Sequence, residues 1–113
     1  MKYYVRLNDE VAEVEGSKFK EDNRLFYVNL RKNNLSTNGK NYQLVDIRTG
    51  IFVFSAKSKK VLFEIYQQQK EKYENFLNKN ENYMIKLEKE LKELIEKGKL
   101  DKDVNYDIYD IDD

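Results

Sequence analysis

The chain has no cysteine, no histidine and no proline, and only four glycines in 113 residues. Each absence excludes something. Without cysteine there is neither a disulfide framework nor a thiolate to serve as nucleophile or metal ligand. Without histidine the commonest general base is missing, and zinc would have only carboxylates to bind it. Gly16, Gly39, Gly50 and Gly98 are too scattered to build a phosphate-binding loop or a dinucleotide fingerprint. No apolar run approaches the roughly 18 residues of a membrane span. The opening MKYYVRLNDE lacks the apolar core and small-residue cleavage site of a secretory signal, so a cytoplasmic location is the expectation. The remaining hydroxyls, on Ser17, Ser36, Thr37, Thr49, Ser55 and Ser58, stand in no nucleophile motif. Glu13 and Glu15 share a strand face and read as an exposed edge rather than an acid/base couple. The reading is therefore non-enzymatic, with no cofactor and no metal site assigned.

What the chain does have is charge and aromatic surface. Lysine and arginine number 21, aspartate and glutamate 21, and nine Tyr and six Phe accompany them. That content suits a packed fold of one modest domain. The charge balance conceals a polarity: residues 101–113, DKDVNYDIYDIDD, hold one basic and six acidic side chains, so residues 1–100 carry the compensating excess of five positive charges. Lysine dominates arginine 17 to 4 and there are twelve Asn, a bias towards AT-rich coding of the kind found in low-GC bacteria, their phages and mobile elements.

From residue 2 to 56 the pattern is strand-like. KYYVRL, VAEVEG, RLFYVNL, YQLVDI and IFVFSA are rich in β-branched and aromatic residues and are separated by turn residues. Asn38-Gly39 marks one loop, and Thr49-Gly50 lies between two runs close enough to form a hairpin. Residues 25–30 and 51–54 are apolar almost throughout, which fits central strands covered on both faces, or on one face plus a partner. From residue 58 to 98 the period becomes helical: Ile65, Gln69, Tyr73, Phe76, Asn80, Met84, Leu87, Leu91 and Leu94 recur at steps of three and four. Ser58 is the expected N-cap and Gly98 the stop.

The expected fold is α+β, one domain over 1–100: an antiparallel β-meander of four to five strands over 2–56, then a long C-terminal helix over 58–98, then an acidic tail over 101–113. One helix of that length would span about 60 Å. NKNEN, residues 78–82, is its weak point, and a break near Asn80 into a helical hairpin is the alternative. Met84, Leu87, Leu91 and Leu94 form a narrow a/d seam in an otherwise charged helix, the pattern of a coiled-coil contact that a second copy would complete as a homodimer.

Two local strings resemble known families. AKSKKVLFEI is similar to the start of the last helix of double-stranded-RNA-binding domains, which implies phosphate contacts by Lys59 and Lys60. That family begins with a helix, and this chain begins with strands. In DKDVNYDIYDID, Asp101, Asp103, Asn105, Asp107 and Asp112 resemble ligand positions of an EF-hand calcium loop, and fragments are similar to dockerin repeats. Tyr106 stands where that loop requires glycine, and Asp112 where it carries a bidentate glutamate.

Three functional expectations follow. The first is a protein-interaction module, a small accessory or inhibitor protein of a phage or mobile element that blocks a host protein, such as a nucleic-acid-processing enzyme. Its acidic-aromatic tail would contact the partner through Asp103, Tyr106, Asp107, Tyr109, Asp110 and Asp112. The alternative is a nucleic-acid-binding module using Lys57, Lys59 and Lys60 at the helix start, against which stands a pI near 6.4. The third is a structural coiled-coil oligomer.

Overall fold

In a computed structural model, residues 1–8, 10–35 and 38–105 are described. Five strands in chain order form one antiparallel sheet: β1 (Lys2–Leu7), β2 (Glu10–Lys18), β3 (Leu25–Asn29), β4 (Tyr42–Asp46) and β5 (Phe52–Ala56). Two helices follow, α1 (Lys59–Lys79) and α2 (Glu81–Glu96). The strands fall where alternation and turn residues put them, and the β4–β5 connection is the expected Thr49-Gly50 turn.

Period-two alternation sorts the strand side chains into two layers. Tyr3, Val5, Val14, Phe26, Val28, Val45 and Ile47 point to one side and form a cluster of strand and loop residues, closed at one end by Leu30 and Leu35. Within it the rings of Tyr3 and Phe26 stack at 4.1 Å between centroids. Gly16 makes room for that stack, since a Cβ there would lie 2.8 Å from the Phe26 ring. The sheet curls over this cluster until β1 meets the β4–β5 turn, where the Arg6 N–H donates to the Gly50 carbonyl at 2.7 Å. Gly50 is required there twice over. Its φ is +78°, and a Cβ would sit 3.3 Å from both the Arg6 nitrogen and the Tyr4 carbonyl oxygen.

The turn is organised by a buried ion pair. Asp46, fully buried, accepts from Arg24 Nε at 2.6 Å and from the Thr49 hydroxyl at 2.6 Å. Arg6 Nε in turn donates to the Thr49 carbonyl at 2.6 Å. A carboxylate removed from water needs such partners to remain charged.

The opposite sheet face carries the helices. Leu62, Tyr66 and Tyr73 of α1 pack with Phe19, Leu25, Leu44 and Ala56. Ser58 caps α1 as expected, its Oγ accepting from the Val61 N–H at 3.2 Å. α2 lies over β1, where Leu91 and Ile95 bury against Tyr4, with Val11 and Val104 beside them. Arg6 reaches across to donate to the Leu87 carbonyl at 2.6 Å.

The single 60 Å helix is therefore corrected to two. Asn80 leaves the helical conformation (φ −114°, ψ 26°), and both its N–H and its side-chain amide donate to the Phe76 carbonyl. Across the described residues the longest extent is 37 Å, and a straight helix of about 60 Å would carry its second half beyond the sheet into water. The 51–54 run is corrected as well. Leu25–Asn29 do form a central strand, but β5 is at the edge of the sheet. The first residues of the expected tail pack against the sheet. Val104 is buried, the Tyr4 hydroxyl donates to the Asp101 carbonyl, and the Asn105 N–H donates to the Lys2 carbonyl at 3.0 Å. Residues 101–105 thus belong to the body.

The β2–β3 loop is tied to α1 by the Tyr66 hydroxyl, which donates to Asp22 at 3.2 Å. Burial, with Asp22 adding to it, pushes the Tyr66 phenol up to about 12. Burial also raises the Asp22 carboxyl, against the lowering effects of Tyr66 and Arg24. A raised acid favours the folded state most when protonated. Its contribution is complete below the unfolded pKa and is lost as pH rises through the folded one. Asp22→Asn should accordingly gain stability relative to wild type between pH 3 and pH 7, read as the difference in Tm at each pH. A difference that stays constant would refute the assignment.

Candidate functional site

Two surface features concentrate the exposed chemistry of the described residues. The first is an apolar groove of about 530 Å³ between β5 and α1, lined by Phe52, Phe54, Ile65, Gln69, Tyr73 and Phe76. Its origin is visible in α1. The residues that bury deepest are Leu62, Tyr66 and Tyr73, so the line Ile65, Gln69, Tyr73, Phe76 runs along the flank of the helix that overlooks the sheet edge. Phe52 is 37% exposed and Phe76 42% exposed. Lys72 stands at the rim. Among the described strands, β5 has a hydrogen-bonded neighbour on one side only, β4.

The second feature is a polar cleft on the part of the sheet face that α1 leaves open. Tyr27 and Asn29 of β3, Tyr42 of β4 and Ser17 of β2 form its floor, and Lys32 and Lys59 line it. Lys18 and Lys20 adjoin it around Tyr27 and Phe63. Lys59 Nζ lies 4.7 Å above the centre of the Tyr27 ring, a cation–π contact. A hydrogen bond from Lys59 pulls the Tyr27 phenol below its ordinary value, against burial.

The expected site residues distribute as follows. Lys57, Lys59 and Lys60 are all exposed at the start of α1, and Lys59 is the one that joins the cleft. The helix-start string similar to double-stranded-RNA-binding domains here follows five strands rather than a helix and three strands. Of the seam residues, Met84, Leu87 and Leu91 are buried within the chain's own fold, and Leu94 is half-buried. Ile95, absent from the expected stripe, takes the inward position beside Leu91. Leu91 and Ile95 are covered by Tyr4 of β1, Val11 of β2 and Val104 after α2. Asp103 is exposed, with its N–H donated to Asp101 Oδ1 at 2.9 Å. Tyr106, Asp107, Tyr109, Asp110 and Asp112 lie outside the described residues, as do the last positions of the calcium-loop string. Among the described residues no group of three acidic side chains could hold a metal ion. Glu13 and Glu15 form ion pairs with Lys2 and the Met1 amino group, at 3.2 and 3.1 Å.

The groove was missed by sequence reading, although a signal for it existed. An edge strand as apolar as IFVF leaves side chains without cover, but its edge position is decided by pairing. Compared with protein-family models, curated proteins and solved structures, the chain matches none of them. No described helix is long and apolar enough to cross a membrane.

Proposed function

We propose that the protein is a non-enzymatic interaction module whose β5–α1 groove receives an extended segment of a partner protein as an added strand. The observation that carries this reading is an apolar edge strand beside an open apolar groove. Strand addition takes affinity from main-chain hydrogen bonds along the edge and specificity from pockets for alternate side chains. Phe52 and Phe76 would flank the incoming apolar residues, and Lys72 favours an acidic residue at the rim. Natural sheets usually blunt such edges with charge or proline, and β5 carries neither.

Acting as a blocker, an accessory protein of the phage or mobile-element type would mask a partner's surface in this way. Tyr106, Asp107, Tyr109, Asp110 and Asp112 supply a second contact in this proposal.

Affinity capture with wild type, Phe76→Glu and a truncation before residue 106 tests the reading. The expected outcome is a partner retained by wild type and lost with Phe76→Glu, with circular dichroism unchanged and only a small change in Tm, because Phe76 is 42% exposed. Once that partner is purified, its binding should slow hydrogen exchange at the β5 amides. Equal retention by Phe76→Glu would overturn the groove, and equal retention by the truncation would remove the tail contact.

A further inference from the structure

The polar cleft over β2, β3 and β4 is independent of the groove and has the chemistry of a different ligand. We infer that the cleft formed by Tyr27, Tyr42, Asn29, Lys32 and Lys59 is a binding site for single-stranded nucleic acid. Sites of this kind pair lysines that follow the phosphate backbone with aromatic rings that meet bases, and they tolerate sequence because every base has a π-face.

The charge argument is local. Overall the chain is neutral. Around the cleft, however, Lys18, Lys20, Lys32 and Lys59 have no carboxylate within ion-pair distance among the described residues, whose five pairs involve other cations. Two acids are nearby. Glu15 is engaged by the Met1 amino group at 3.1 Å, and exposed Glu21 lies beside Lys18 and Lys20. The cationic surplus therefore faces the cleft.

The aromatic argument is geometric. Tyr27 pairs across the sheet with Leu44, and Asn29 with Tyr42, so Tyr27, Asn29 and Tyr42 share one face two residues apart. Both tyrosines are half-buried and line the cleft, with Lys59 Nζ lying over the Tyr27 ring. The amide groups of Asn29 and Asn33 occupy the same wall, although Asn33 Nδ2 is already held by the Glu15 and Asn29 carbonyls.

A single strand is favoured over a duplex for a physical reason. The cleft measures about 470 Å³, with an adjoining hollow of about 230 Å³ around Phe63. A recess of that size can admit an unstacked base, whereas the bases of a duplex stay in their stack and present only backbone and groove edges to it.

Fluorescence anisotropy with a labelled oligo-dT, using the full chain at 50 mM salt, tests the inference. Three or four phosphate contacts predict a log–log salt slope of about −2 to −3, at roughly 0.7 per phosphate for single strands. Lys32→Ala with Lys59→Ala, both exposed positions, should weaken binding at least tenfold while circular dichroism and Tm are retained. Tyr42→Leu should weaken it by roughly tenfold at an unchanged salt slope, the signature of lost stacking. Absence of binding at 50 mM salt, or binding indifferent to the lysine pair, would overturn the site. Displacement of oligo-dT by heparin or duplex as effective as by unlabelled oligo-dT would also overturn it, since charge alone would then explain retention.

Discussion

Asp46→Ala lowers the stability of the fold by about 3 kcal/mol or more, the largest effect expected of any polar substitution in this chain. The magnitude follows from what is left behind. Removing one partner of a buried pair strands the other charge and costs roughly 3–5 kcal/mol. Here the Arg24 side chain is one-quarter exposed, so water recovers part of the loss and the lower end applies. The Thr49 hydroxyl and N–H lose their acceptor as well, and the β4–β5 turn that meets Arg6 and Gly50 loosens with them. Domains of this size hold only about 5–15 kcal/mol in total, so the variant would stand near unfolding. Asp46→Asn, which keeps an acceptor for Thr49, should cost less. Urea denaturation at pH 7 measures both. A loss below about 1 kcal/mol for the alanine variant would show that the pair does not hold the turn.

The second large effect concerns Leu91. It is fully buried between Tyr4, Ile95 and Val104, and its truncation to alanine should cost about 2–5 kcal/mol through lost burial and the cavity left behind. The concentration dependence distinguishes this account from a coiled coil. If Leu91 packs within one chain, the Tm of wild type and variant is independent of protein concentration. If Leu91 completes a seam between two copies, Tm rises with concentration for wild type, since association stabilises by mass action. Sedimentation velocity at micromolar concentration gives the same distinction directly. A concentration-dependent Tm would contradict the intramolecular placement of α2.

Those two residues also show what could be read without a structure. Leu91 was legible as a buried helical position, because the three- and four-residue spacing around it leaves one apolar line in a charged helix. What covers that line was not legible. Spacing states that a stripe must be buried and is silent on whether a strand, a helix or another chain buries it. Asp46 gave no signal at all: in YQLVDIRTG it resembles any acid before a turn, and only the β3–β4 pairing brings Arg24 beside it and only the curl of the sheet brings Arg6 onto the Thr49 carbonyl.

Lys59 and Phe76 repeat the lesson at the surface. Lys59 was singled out for its place at a helix start, which local capping chemistry made visible. The company it keeps, Tyr27, Tyr42 and Lys32, comes from three other segments. Phe76 belonged to the helical stripe by spacing, yet it lies on the groove side because α1 is rotated to bury Tyr66 and Tyr73.

The amino-acid sequence by itself determined an antiparallel meander of four to five strands, the turn at Thr49-Gly50, the cap at Ser58 and the lack of histidine and cysteine side chains. These depend on side-chain period, local backbone preference and residue type, all of which act within a few positions. Only the tertiary structure decided that the helix breaks at Asn80, that β5 is an edge, and that the α2 stripe meets β1. Each of those outcomes depends on which distant surface is within reach: the apolar line of the second helix finds Tyr4 of β1 only because the chain turns back at Asn80.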